Sequence, residues 1–274
     1  APTTANTAPT TTNTVPTTVP TAHTFFLPTT DDVLQAGTRS CRYARGLLSS
    51  SESPFSYSRA SLTRQDGALA VTGGRDIVPT INELLTYPFA LKVATKDYHP
   101  RDHISFASNH TAPNNKPFES TFIIKNPHNP EETQETRLWP DHCIQGTKGA
   151  ELLPELLVSK VDRIVEKGQD KRVEMYSAFA DPFKSPCVAK SDLAETLRTA
   201  GITDVYVVGL AADYCVKYTA LDAQKEGFKT WVISDAVKAV DPSAMEYVHK
   251  EYAEIGVTVI GKGDAQIQKV KEQV

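Results

Sequence analysis

The 274-residue chain lacks several features that would place it in a specialised class of protein. It has no run of about 18 continuous apolar residues, which a membrane-spanning helix requires. Its net charge of −4 provides no basic excess for binding nucleic acid or an anionic membrane surface. Its four cysteines have neither the spacing of a disulfide framework nor that of a zinc ribbon, so reduced thiols are expected. We therefore expect neither nucleic acid nor a membrane as a partner. We expect a cytoplasmic location, with a nuclear or organellar one left open.

The first 64 residues have little of what a folded core requires. Residues 1–24 contain 11 Thr and 4 Pro and no charged side chain, and residues 39–64 contain five Arg, eight Ser and one acidic residue, Glu52. Such segments bury too little apolar surface to offset their ordering entropy. We therefore predict that residues 1–64 are a disordered or poorly folded leader without function, although the Ser- and Arg-rich part resembles an organelle transit sequence in composition. Residues 65–274 are predicted to form the folded domain.

Strands and helices alternate along this second part of the chain. Apolar runs predict strands over 89–95, 162–167, 204–210, 229–234 and 257–260. Helical patterns follow Gly74 and cover 191–200, 216–227 and 242–255. This alternation predicts an α/β fold with three layers, α/β/α, in which helices cover both faces of a mostly parallel sheet.

Cys215 lies where a buried strand gives way to a helix. The apolar run 204–210 precedes it, and a helical segment that closes at Gly227 follows it. Because the link is short, the cysteine is predicted in the first turn of the helix, at the carboxyl end of a strand, where open α/β sheets bind ligands. Free N–H groups and the helix dipole favour the thiolate there, so we expect a lowered pKa and a nucleophilic role. The position alone leaves open an inert, buried cysteine.

A group of potential metal ligands follows the strand 89–95. In extended backbone Asp97 and His99 point to the same side, as two ligands of one metal ion must. A third ligand could come from His142. One carboxylate and two imidazoles suit zinc, iron or manganese, with positions left for water or substrate. A solvated loop with hydrogen-bonded histidines is the alternative explanation for so short a motif.

Five segments, in their order and spacing, resemble those of the nicotinamidases within the isochorismatase-like cysteine hydrolases. They are residues 97–100, 103–107, 139–143, 165–168 and 209–216. The resemblance covers roughly residues 66–262. The Asp-x-His-Pro and Trp-Pro-x-His-Cys segments separate nicotinamidases from isochorismatases, which lack this metal site. The resemblance implies that residues 65–274 form an isochorismatase-like hydrolase domain.

The resemblance also implies a reaction. Cys215 would attack the carboxamide carbon of nicotinamide, ammonia would leave, and water would release nicotinate from the thioester, a step of NAD salvage. Lys167 would lower the pKa of the thiol. The peptide bond between Leu210 and Ala211 would be cis, and the N–H groups of Ala211 and Cys215 would form an oxyanion hole.

The remaining implied roles concern binding. Asp97, His99 and His142 would hold one divalent transition metal, with zinc preferred, and this metal would bind the pyridine nitrogen. Trp139 and Tyr214 would form aromatic walls of the substrate pocket. Assembly into a homo-oligomer is left open.

The general base of the family has no clear counterpart in the chain. The family opens with an apolar strand that ends in an aspartate, followed closely by a phenylalanine. Asp31 and Asp32 follow an apolar triplet, but Pro28 and the long gap to Asp66 predict a poor first strand. The sequence gives no argument that Asp31, Asp32 or Asp66 lies within hydrogen-bond reach of the thiol, so these are the three carboxylates to test as a replacement base. Two functions therefore stay open: a nicotinamide amidohydrolase, or a catalytically impaired relative that binds a heteroaromatic amide.

Overall fold

A six-stranded parallel sheet forms the centre of the computed structural model, which describes residues 22–28 and 69–272, with Thr24 the one described side chain of the first segment. Its strands are β1 (Ala22–Pro28), β2 (Leu91–Asp97), β5 (Arg163–Lys167), β6 (Ile202–Leu210), β7 (Lys229–Lys238) and β8 (Thr258–Ile260). A separate antiparallel hairpin consists of β3 (Thr121–Asn126) and β4 (Asn129–Arg137). The strand order of the large sheet is β5-β2-β1-β6-β7-β8, and every neighbouring pair is parallel.

Helices cover both faces of this sheet. They are α1 (Val78–Leu85), α2 (Leu193–Thr199), α3 (Cys215–Lys225), α4 (Met245–Ile255) and α5 (Ala265–Lys271). Alternate residues of β6 enter different cores: Tyr206 packs with α1 and α5 on one face, and Val207 packs with α2, α3 and α4 on the other. The predicted three-layer α/β/α fold is therefore confirmed. No helix in the described residues combines the length and apolar character needed to cross a membrane.

Strand β1 corrects one expectation. The segment after residue 24 was predicted to make a poor first strand, yet Ala22–Pro28 lies between β2 and β6 and pairs with both. Thr24 secures it by donating its hydroxyl to the carbonyl of Leu91 at 2.7 Å. Pro28 ends the strand, so its missing N–H costs little of the ladder. The sheet thus takes a strand from the segment 1–64, and the rest of the predicted leader lies outside the described residues.

The other predicted elements are present with shifted ends. The strand predicted over 89–95 is β2 (Leu91–Asp97), and the helix predicted over 242–255 begins with a 3₁₀ turn, Pro242–Ala244, before α4. The β3–β4 hairpin and α5 were not predicted. The sequence pattern did not predict the hairpin because β4 is mostly exposed and polar and therefore shows no alternation of apolar residues.

Candidate active site

The carboxyl ends of three strands assemble the site. Neighbouring strands β2 and β5 end in register, with Asp97 opposite Lys167. Strand β6 lies two positions further along the sheet, and α3 begins with Cys215 shortly after its end. Because the strands are parallel, all three ends meet at one edge of the sheet, where α/β folds bind ligands.

A cavity of about 570 Å³ lies at this edge. All eight residues proposed from the sequence line it: Asp97, His99, Trp139, His142, Lys167, Ala211, Tyr214 and Cys215. The structure therefore brings together side chains that are far apart in the chain. The residues that line it without a sequence-based assignment are Leu69, Thr95, Glu174, Tyr176, Leu210 and Val240.

Lys167 connects the cysteine to the first of the metal-ligand candidates. Its amino group forms an ion pair with Asp97, donates to the carbonyl of Met175 at 3.2 Å and lies 3.4 Å from the sulfur of Cys215. Burial opposes ionisation of Asp97, but the charge of Lys167 outweighs it and lowers the pKa of that carboxyl to about 2. Burial also opposes the charge of Lys167, and the opposite charge of Asp97 more than compensates, so the pKa of the lysine is raised. The pair is therefore ionised.

The pKa of the Cys215 thiol differs from the sequence-based expectation. Cys215 lines the cavity and is half-buried, and burial raises the pKa of the thiol to about 12. The charge of Lys167 lowers it, and the charge of Asp97 acts in the opposite direction. The expected lowering of the pKa is therefore wrong, because the lysine shares its charge with a carboxylate and cannot offset the lost hydration of the sulfur.

Asp97, His99 and His142 form a compact group of potential metal ligands. One ligand atom from each lies within 4.8 Å of the others. The Nδ1 atoms of His99 and His142 each lie 2.8 Å from a backbone carbonyl, that of Gly168 and that of Pro140. A carbonyl only accepts, so each Nδ1 carries the proton and each Nε2 keeps a lone pair for a metal. Burial lowers the pKa of His99 well below its usual range, which keeps the imidazole neutral. The group fits a divalent transition metal.

Gly168 allows His99 to occupy this position. Its φ is +68°, and a Cβ atom placed there would lie 2.3 Å from Cε1 of His99. No real Cβ contact is that short, so any other residue would displace the imidazole. The glycine is required both by its backbone conformation and by the close approach of the ring.

An aromatic group forms another wall of the cavity. The rings of Trp139 and Tyr214 meet edge to face with centroids 4.9 Å apart. Trp139 Nε1 donates to the hydroxyl of Tyr176 at 2.9 Å, and Tyr176 stacks on Tyr218 with centroids 5.4 Å apart. The indole is therefore held in one orientation by a half-buried tyrosine for which the sequence predicted no role.

Glu174 is the carboxyl group of this cavity that sequence reasoning missed. It is 4% exposed, and burial raises its pKa. One of its oxygens accepts from the N–H of Met175 at 2.9 Å. The residue lies in an irregular segment between β5 and α2, with no periodicity to mark which side chains point inward. No signal in the sequence distinguishes it from a solvated glutamate.

The turn that carries Cys215 is anchored to the neighbouring strand end. The buried carboxylate of Asp213 accepts from the N–H groups of Val240 and Asp241, both at 2.9 Å. The N–H of Ala212 donates to the carbonyl of Lys238 at 2.8 Å. The peptide bond between Leu210 and Ala211 is cis, as the resemblance implied.

The carboxylates considered as replacements for the family's general base lie outside the described residues; they are Asp31, Asp32 and Asp66.

This fold and cavity define the class of protein: a three-layer α/β/α protein with a candidate active site at the carboxyl edge of a parallel sheet. Residues 65–264 match the family described as the isochorismatase domain, and the chain belongs to that family.

Individual relatives narrow the comparison. The nicotinamidase of Acinetobacter baylyi is 41% identical over 192 residues, which cover 70% of this chain and 83% of the relative. The structure of the yeast nicotinamidase bound to the inhibitor nicotinaldehyde aligns with a TM-score of 0.71 at 28% identity, covering 88% of this chain and all of that one. The pyrazinamidase of Pyrococcus horikoshii in complex with zinc aligns with a TM-score of 0.57 at 29% identity, covering 87% and 98%. The chain is thus a hydrolase of the nicotinamidase type.

Proposed function

We propose that the chain hydrolyses nicotinamide to nicotinate and ammonia through a thioester on Cys215, as a step of NAD salvage. The observation that carries the proposal is the cavity in which the Cys215 sulfur, the Lys167 amino group and the Asp97–His99–His142 cluster face one another. The nicotinamidases among the relatives and the nicotinaldehyde complex of the yeast enzyme support the substrate class.

The reaction consists of two substitutions at one carbon. The sulfur of Cys215 attacks the carboxamide carbon, a C–S bond forms, and the C–N bond breaks as the nitrogen takes up a proton and leaves as ammonia. Water then adds its oxygen to the acyl carbon, the C–S bond breaks, and the sulfur regains a proton. The N–H groups of Ala211 and Cys215 are our candidates for the donors that stabilise the oxyanion, worth about 10²–10³ in rate per donor.

Removal of the proton from the Cys215 thiol is the difficult step of the proposed reaction. With burial raising the pKa of the thiol to about 12, the thiolate forms at neutral pH only if a nearby base takes the proton. Lys167 is charged and serves to stabilise the anion. The sequence-based candidates for the base are Asp31, Asp32 and Asp66, and among the described residues Glu174 is a further carboxyl group of the cavity.

The remaining residues would hold the substrate. Asp97, His99 and His142 would bind a divalent transition metal, with zinc preferred by analogy with the zinc complex of the pyrazinamidase, and the metal when bound would orient the pyridine ring through its nitrogen. Trp139 and Tyr214 would pack against the ring. Because each group contacts a different edge or face, the ring would be oriented with its carboxamide toward Cys215.

The experiment is an ammonia-release assay with nicotinamide and the purified chain, beside Cys215→Ala. We expect turnover in the wild type and none in the variant, with nicotinate binding retained in both. Nicotinate binding without ammonia release in the wild type would instead support the catalytically impaired relative, which the nicotinamidase relatives do not favour.

A further inference from the structure

A second opening lies beside the active-site cavity. It is a groove of about 710 Å³ bounded by β4, by the segment 174–184 and by α3. Glu174 and Tyr176 line both the groove and the active-site cavity. In the described part of the chain these two side chains are therefore the partition between the two spaces.

The two halves of this partition differ in how firmly they are held. The hydroxyl of Tyr176 accepts a hydrogen bond from Trp139 Nε1 at 2.9 Å and lies 3.1 Å from the hydroxyl of Thr136, and its ring stacks on Tyr218. The carboxylate of Glu174 accepts a hydrogen bond from the adjacent N–H of Met175, and it also interacts with the hydroxyl of Ser105. Rotation of the Glu174 side chain would join the groove to the cavity, whereas moving Tyr176 would disrupt the aromatic wall.

The proposed reaction requires such a route. During the thioester stage the pyridine ring is attached to Cys215 and lies in the cavity, since a pocket of this kind encloses most of a small ligand. Ammonia must leave, and water must arrive, while the ring still blocks the opening by which it entered.

We propose that the groove beside Tyr176 is the passage for ammonia and water, past Glu174, while the ring uses the opening of the cavity itself. This inference rests on the proposed function. The lining suits small polar molecules: Gln134, Ser177 and Asp222 provide polar groups, and the charge of Asp222 is balanced by Lys225 at 3.3 Å. Lys184 also lines the groove, which therefore has no net acidic character that would retain an ammonium ion.

The test narrows the groove without touching the active-site cavity. Gln134 is half-buried on β4 and lines the groove, so Gln134→Trp would fill it. Glu135, the next residue, is exposed, and side chains alternate along a strand, so Glu135→Trp is the matched control on the other face of the hairpin. Two exchanges are measured with the full chain: ¹⁵N from ammonium into nicotinamide, and ¹⁸O from water into nicotinate.

We expect Gln134→Trp to lower both exchange rates by about tenfold or more, because passage of the small reactants becomes limiting. Its nicotinate affinity should stay within about twofold of the wild type, as no ring contact changes. Glu135→Trp should leave all three quantities unchanged. If Gln134→Trp does not fold, as judged by thermal unfolding, Lys184→Trp narrows the same groove from its other rim.

The outcomes separate the two proposals. Exchange at wild-type rates in the folded, groove-filling variant would refute the passage while the proposed function stands. A loss of nicotinate affinity equal to the loss of exchange would also refute it, since the ring site would then have been damaged. Absence of both exchanges in the wild type would contradict the proposed function and the passage together.

Discussion

The amino group of Lys167 lies 3.4 Å from the sulfur of Cys215 while it is ion-paired with Asp97. The charge of Lys167 thus acts on two acidic groups, the carboxyl of Asp97 and the thiol of Cys215. It lowers the pKa of the carboxyl enough to ionise it but does not offset the burial of the thiol. The carboxyl of Asp97 is ionised, with a pKa of about 2, whereas the thiol stays protonated at neutral pH. The proposed catalysis by Cys215 consequently depends on a base that removes the thiol proton when substrate is present.

The pH dependence of alkylation tests this relationship. In metal-free protein the iodoacetamide reaction of Cys215 should be slow at neutral pH and rise about tenfold per pH unit until the pH approaches about 12, because the thiolate fraction grows until the pH reaches the raised pKa. Lys167→Met should slow it further, since removing the cation raises the pKa again. Mass spectrometry of the labelled peptide gives the rate, and Cys215→Ser identifies the signal. A plateau below about pH 9 would show that the thiol is activated after all.

Metal content tests the Asp97–His99–His142 cluster. Purified wild-type protein should contain close to one transition metal per chain by elemental mass spectrometry. His99→Ala should remove most of it, because two remaining protein ligands make a poor site. His110→Ala is the control, since that imidazole lies outside the cluster and contacts the carbonyl of Ile104. Equal metal in wild type and His99→Ala would refute the assignment.

Gly168→Ala tests the support of His99. The new Cβ would meet Cε1 of His99 at 2.3 Å, so metal content and turnover should both fall. Gly201→Ala is a close control, because its φ of +67° matches the +68° of Gly168, while a methyl group placed on it would have open space around it out to 4 Å. Both variants should lose about 1 kcal/mol or more of unfolding free energy through backbone strain. Only the first should lose metal, and equal metal loss in both would contradict the argument.

Tyr176→Phe tests the orientation of the indole. It removes the hydroxyl to which Trp139 Nε1 donates and leaves that buried N–H without its partner, at a cost of about 1–3 kcal/mol. We expect KM for nicotinamide to rise more than kcat falls, because the role proposed for Trp139 is to pack on the ring and not to take part in bond making. Tyr247→Phe, on a side chain that is 62% exposed, should change neither quantity. A fall in kcat at unchanged KM would assign Tyr176 a different role.

Substitution of Asp31, Asp32 and Asp66 tests the identity of the general base. If the chain turns over nicotinamide, one of Asp31→Asn, Asp32→Asn or Asp66→Asn should lower kcat by about 10²–10⁴, the usual worth of general acid–base catalysis. Nicotinate binding should survive, since the ring contacts are elsewhere. Full activity in all three variants would exclude these residues, and Glu174→Gln would then be the next substitution to measure.

The amino-acid sequence by itself determined the fold class and eight of the fourteen residues that line the cavity. Buried strands and amphipathic helices have periods that can be read locally, and the Asp-x-His-Pro, Trp-Pro-x-His-Cys and Cys215 segments are contiguous. Only the tertiary structure decided the rest. Ala22–Pro28 became the strand between β2 and β6 because both neighbours offer it backbone partners, which no local pattern reports. Glu174 and Tyr176 line the cavity although they lie in an irregular segment with no periodicity to predict it. The pKa of the Cys215 thiol is raised because burial and the shared charge of Lys167 depend on the groups that surround the sulfur in space.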